Sequence, residues 1–199
     1  MAIDSATLKK SLWSVSLALL MASAELNTLD GKLGDGDLGA TLEKCARNIM
    51  DAIPSMNDDL SNNFKAAALA CAKASGSSFG TLLAQGLLVA ARDTLERKAL
   101  THTDIAELVS ASVQALSARG GAVLGDKTVL DAMDSAACAL KTASDGNDFR
   151  AVAAKAIKQT ISTFRDKPNK IGRARMFAER SIGMDDPGMI AFLRIVEAV

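Results

Sequence analysis

The sequence contains no tyrosine, one histidine, one tryptophan, three prolines and three cysteines in 199 residues. Each scarcity closes off a class of function. The one histidine, His102, has no triad around it, so neither a Ser/His/Asp set nor a Cys–His pair can be drawn. Cys45, Cys71 and Cys138 are odd in number, far apart and without a CxxC spacing. They read as buried free thiols rather than a disulfide frame or a zinc site, which fits the cytoplasm. No charge of one sign predominates: Lys plus Arg and Asp plus Glu both number 23. That balance argues against general binding to nucleic acid or to an acidic membrane. The start, Met1-Ala-Ile-Asp-Ser, lacks the basic-then-apolar order of a signal peptide. Apolar stretches such as Leu82 to Ala91 are too short to span a bilayer.

What is present is helical periodicity. Leu8, Leu12, Val15 and Leu19 recur at three- and four-residue steps, as do Ile105, Leu108, Val109, Val113 and Leu116. Leu130, Met133, Ala137 and Leu140 repeat the stripe, and Met189, Phe192, Leu193 and Val196 close it. No segment keeps the alternation of a strand. The pattern predicts eight helices, roughly 5–28, 39–53, 60–74, 78–97, 103–118, 128–143, 148–165 and 186–198. Asp104 to Glu107 places acids in a first turn, and Asp186-Pro187 reads as an N-cap followed by proline at N1. The segment near 80–91 is apolar almost all round and is expected at the centre of the fold. No Pro-, Gly- or Ser-rich linker divides the chain, so a single all-α domain over 1–199 is the expectation.

Apart from Gly86 and Gly146, the glycines cluster at 31–39, 76–80, 120–125, 172 and 183–188, in or beside the predicted connections. Loops this polar and glycine-rich mark one working end of a bundle. In the first cluster, Asp30, Asp35 and Asp37 lie close enough to repel one another unless solvated or bridged by a cation. A hard divalent ion such as Mg²⁺ takes oxygen ligands of this kind. On chemistry alone, a metal site and a solvated acidic turn capping the second helix both stand. An EF-hand does not: counted from Asp30, position 3 is Lys32, and counted from Asp35, position 12 is Ala46. Gly120 to Gly125 has Walker-like glycine spacing, but Asp126 precedes Lys127-Thr128 and no strand leads in.

The remaining loops are weaker signals taken singly. Ala74-Ser-Gly-Ser-Ser-Phe-Gly80 opens a helix and can hold an anion or simply cap it. Gly125-Asp-Lys-Thr128 opens another, with Lys127 a candidate phosphate contact and Thr128 a candidate cap. Gly172-Arg-Ala-Arg and Glu179-Arg-Ser form a basic stretch before the last helix. That stretch reads as mobile, or as an ordinary solvated charge run.

Taken in order, Leu26-Asn-Thr-Leu-Asp30-Gly-Lys-Leu-Gly-Asp35-Gly-Asp37-Leu-Gly39, the 74–80 and 125–128 loops, Gly172-Arg-Ala and Glu179-Arg-Ser-Ile-Gly-Met-Asp-Asp-Pro-Gly188 make a specific set. It resembles the nucleotide-binding L subunit (DhaL type) of dihydroxyacetone kinase over essentially the whole length. The resemblance implies an antiparallel eight-helix barrel with a nucleotide, ADP or ATP, in the loops at one end. It implies two Mg²⁺ ions on Asp30, Asp35 and Asp37. It places Leu38, Gly39, Ala40 and Thr41 beside the phosphates and Ala74, Ser75, Gly120, Val129 and Arg173 around the rest of the pocket. Asp186, Pro187 and Gly188 would close the pocket, and the Arg-rich stretch would act as a lid. No catalytic side chain is expected on this chain. A separate K-type subunit would hold the ketose, dihydroxyacetone or a relative such as erythrulose. The phosphoryl group would come from ATP or from a phosphotransferase-system protein recharging retained ADP. A homodimer is compatible with the resemblance.

The sequence departs from the family pattern at Leu38, where histidine is common, and at Thr41, where asparagine is common. It departs again at Ala178 and at Met184-Asp185, where glycine and His-Gln are common. Leu38 offers no side-chain donor, and Ala178 restricts the lid backbone. These departures keep a second function open, a non-catalytic regulatory or adaptor protein that retained fold and nucleotide. A third is a related kinase module for a carboxylate substrate held by another protein.

Overall fold

A computed structural model describes residues 2–74, 78–144 and 147–199. Eight α-helices run through it: α1 (Ser5–Leu33), α2 (Leu38–Ala52), α3 (Leu60–Lys73), α4 (Ser78–Asp93), α5 (His102–Gly120), α6 (Val129–Lys141), α7 (Phe149–Phe164) and α8 (Pro187–Ala198). Short 3-10 helices occupy Ile53–Ser55 and Arg173–Ser181. Each α-helix packs on its neighbours in sequence, and α8 returns to α1, so the ring closes. The expected antiparallel all-α barrel is observed.

Local chemistry explains where the helices begin. Asp4, Asp59, Asp148 and Asp186 each accept a backbone N–H at the start of α1, α3, α7 and α8, and Pro187 takes N1 of α8. Thr101 with Asp104, and Thr128 with Asp131, form capping boxes at α5 and α6. The scarcity of aromatics reappears in the packing. The interior is built from Leu19, Leu26, Leu42, Ile157 and Met189, with Ala46, Ala106, Ala132 and Ala191 fully covered between them. Small side chains on facing surfaces let helix axes approach closely.

Four features differ from the sequence reading. First, α1 continues through Asp30 and Gly31 to Leu33, whose side chain is buried, so Asp30 belongs to a helix and not to a loop. Second, α4 is a wall helix: it packs on α3 and α5 and leaves Leu88 exposed, so apolar composition did not mean a central position. Third, Cys138 is exposed on α6, while Cys45 and Cys71 are buried free thiols as expected. Fourth, Ile3–Asp4 pairs antiparallel with Ala99–Leu100, a contact too short to leave any periodicity. By length and composition α1 could cross a membrane. Here its buried residues recur every three or four positions against α2 and α8, and Trp13, Leu17 and Met21 stay exposed.

Candidate functional site

Alternation of direction around the ring decides where the site falls. The connections after α1, α3, α5 and α7 all emerge at one end, and the five glycine clusters of the sequence fall in or beside them. The same alternation brings the N-termini of α2, α4, α6 and α8 to that end. Their opening residues Leu38, Ser78, Phe79, Val129, Pro187 and Gly188 all line one cavity of about 460 Å³. Four helix N-termini around one cavity give it a positive dipole field suited to an anion.

Asp30, Asp35 and Asp37 stand on its rim, and one oxygen from each lies within 4.8 Å of the others. The turn is pinned by Asp30, whose Oδ2 accepts the N–H groups of Asp37 at 3.0 Å and Leu38 at 3.3 Å. Gly36 takes φ of +76°, the left-handed conformation that glycine adopts without cost, and so reverses the chain between Asp35 and Asp37. An all-oxygen, partly exposed set of this size fits a hard divalent cation such as Mg²⁺.

The first turn of α2 is capped from outside. Asp37 occupies the N-cap position without capping through its own side chain. Asn27, one turn before Asp30 on α1, accepts the Ala40 N–H at 3.0 Å instead. Gly39 lies so close to α1 that an added Cβ would overlap the Ser23 carbonyl. Gly39 and Ala40 therefore face α1, and neither they nor Thr41 line the cavity, while Leu38 does, its side chain packed into the core.

Gly120, Val129, Asp186, Pro187 and Gly188 line the cavity as the sequence suggested. Ala74 ends α3 and does not reach the lining, and Ser75 lies outside the described residues. Arg173 opens the 3-10 helix, with its side chain outside the description. The sequence reading missed an apolar wall of Phe79, Leu82, Leu116 and Leu130, together with Gln85, Arg119 and Ile171. Arg119 is the one lysine or arginine among the described lining residues, and its placement in the last turn of α5 beside Gly120 was the available signal.

Lys127 is not where the sequence placed it. Its ammonium is buried and donates to the carbonyls of Arg165 at 3.1 Å, Lys167 at 2.7 Å and Ser181 at 2.8 Å. Burial holds it below the usual lysine range, against the opposing pull of Asp186, Asp185 and Asp166. Thr128, next in the chain, does cap α6. Asp186 is buried at the start of α8, and burial pushes its carboxyl up to about 6. The Met189 N–H, the Asn169 amide and the Lys127 charge restrain that rise.

The model of the DAK2 domain matches residues 32–199. The ADP-binding subunit DhaL of a PTS-dependent dihydroxyacetone kinase from Lactococcus lactis is 32% identical over 83% of this chain and 80% of its own. The ADP-binding subunit DhaL of the Escherichia coli PEP-dependent dihydroxyacetone kinase is 27% identical, over 88% of this chain and 86% of its own. The C. freundii dihydroxyacetone kinase, solved with AMP-PNP and Mg²⁺, superposes with a TM-score of 0.77 at 23% identity over 100% of this chain. This chain spans 34% of that larger protein. With the fold, the converged acids and these likenesses together, the chain belongs to the DAK2 domain family.

Proposed function

We propose that this chain is the nucleotide-holding subunit of a kinase for dihydroxyacetone or a related small ketose, acting as one domain in the cytoplasm beside a separate K-type subunit that binds the sugar. The observation that carries the reading is the convergence of Asp30, Asp35 and Asp37 on the rim of a cavity ringed by four helix N-termini. Those carboxylates would hold Mg²⁺, two ions by the resemblance, and bound metal supplies charge neutralisation on the nucleotide phosphates. The chain's own part is to bind and orient. The apolar wall of Phe79, Leu82, Leu116 and Val129 suits a flat base, and the helix N-termini with Arg119 favour its phosphates. Leu38, Gly120, Asp186, Pro187 and Gly188 complete the pocket in this reading. Gly39 and Ala40 act through the set of α2 against α1.

The relatives' names, PTS-dependent and ADP-binding among them, support retained ADP recharged by a phosphotransferase-system protein over exchange of free ATP. ADP that stays with the purified protein through gel filtration is the expected result. A second reading, a non-catalytic adaptor, draws on Leu38, whose buried aliphatic side chain offers the cavity no donor. Incubation with a K-type subunit, Mg²⁺, each phosphoryl source and a panel of small ketoses separates the two readings. Phosphorylated ketose is expected. Nucleotide binding without transfer to any ketose would favour the adaptor.

A further inference from the structure

Lys127 makes no contribution to the cavity surface, yet its buried ammonium is fully engaged. An ammonium has three N–H donors, and all three have carbonyl partners, from Arg165, Lys167 and Ser181. Arg165 caps the C-terminus of α7, and Ser181 ends the 3-10 helix. Lys127 therefore closes two helix C-termini at once, where unpaired carbonyls and the helix dipole both favour a cation.

These carbonyls are the two feet of one arch. Between them run residues 171–180, of which Ile171, Gly172 and Ala174 line the cavity. None of the described residues of 171–180 is buried, whereas Asn169 and Ser181 at the feet are. The feet are also tied directly to each other. The Asn169 N–H donates to Ser181 Oγ at 2.8 Å, the Gly183 N–H donates to the Arg165 carbonyl at 2.8 Å, and Arg165 pairs with Asp185. Asn169 Nδ2 then reaches the Lys127 carbonyl at 2.7 Å and Asp186 at 2.9 Å, joining the feet to the start of α8. Lys127 itself sits at φ of +62°, a conformation costly for a residue with a Cβ and maintained only where the surroundings enforce it. The next residue, Thr128, caps α6 and lines the cavity. One side chain thus fixes the arch relative to the pocket.

We propose that Lys127 is a positioning residue that clamps both feet of this arch, so that the clamp, rather than contact with the nucleotide, sets how long a nucleotide stays bound. The proposal rests on the nucleotide reading of the cavity. It predicts a kinetic effect: a loosened arch opens more often, which speeds escape far more than entry. Replacing Lys127 by methionine keeps the stem and removes the three donors. Arginine keeps charge and several donors.

The test is stopped-flow binding of a fluorescent ADP analogue with Mg²⁺ to wild type, Lys127→Met, Lys127→Arg and Ser181→Ala, below each unfolding midpoint. Lys127→Met is expected to raise the dissociation rate about tenfold or more, with association within about threefold. Lys127→Arg is expected to recover most of that loss, and the milder Ser181→Ala to move dissociation in the same direction. A purely structural lysine would lower the melting temperature and leave dissociation from the folded protein unchanged. That outcome in both Lys127→Met and Ser181→Ala overturns the clamp. Failure of wild type to bind the analogue would instead overturn the nucleotide reading. The clamp is then read by trypsin, which should cut the arch at Arg175 and Arg180 faster in Lys127→Met. Unchanged cutting would overturn it.

Discussion

Gly39→Ala should cost this protein more than almost any other single methyl group. The added Cβ would stand 2.8 Å from both the Ser23 carbonyl carbon and Asn27 Oδ1, and it would overlap the Ser23 carbonyl oxygen itself. The obstacle is the backbone of α1, which has no rotamer to change, so α1 and α2 must part by about 1 Å or more to reach ordinary contact distance. Overpacking costs about 1–3 kcal/mol in typical cores, and an unyielding neighbour places this site at the upper end. Parting the helices also stretches the Ala40–Asn27 bond and the two N–H bonds to Asp30. Each is worth about 1 kcal/mol, more where the acceptor is charged. The expected loss is about 4–5 kcal/mol, a large share of the roughly 5–15 kcal/mol that holds a domain together. Gly86→Ala is the control: its Cβ would meet Ser112 Oγ at 3.9 Å and Cβ at 4.0 Å, ordinary contact inside α4. It should stabilise by about 0.5–1 kcal/mol through helix propensity. Urea unfolding followed by far-UV circular dichroism measures both. A loss below about 1 kcal/mol for Gly39→Ala would refute the close α1–α2 approach on which the acidic rim depends.

Asp186 gives stability a pH signature in the nucleotide-free protein. Its carboxyl rises from 3.8 to about 6, so the folded state holds the proton more tightly. The contribution is fully present below the unfolded pKa and is lost as pH rises through the folded one, about 3 kcal/mol in all. Relative to Asp186→Asn, wild-type unfolding free energy should fall across that window in a urea series, and a constant difference would count against the burial argument. Thr128→Ala removes one half of the α6 capping box and should cost about 1 kcal/mol in the same assay. A cost near zero would mean that Asp131 alone sets the start of α6.

The fold was largely legible because its signals are local. Three- and four-residue spacing marked the helices, and Asp104 to Glu107 and Asp186-Pro187 marked starts that the structure keeps within about one residue. The gathering of the glycine-rich loops at one end follows from helix alternation alone. What was hidden depends on partners far along the chain. Lys127 sits in a loop that resembles a phosphate cradle, and its carbonyl partners lie 38, 40 and 54 residues away. The cap of α2 comes from Asn27 on another helix, although Asp37, directly before Leu38, reads as the cap in the sequence. Gly31 did not end α1, because Leu33 still had a buried place to fill. For α4, composition identified an apolar helix but could not tell a wall position from a central one.

In the proposed function, Asp30, Asp35 and Asp37 make this cavity a Mg-nucleotide site. Titration of ADP into wild type, Asp35→Asn and Asp37→Asn, with and without Mg²⁺, tests it most directly. Wild type is expected to bind only with Mg²⁺, and each variant about tenfold or more weakly with helicity unchanged. Equal affinity in all three proteins would contradict it.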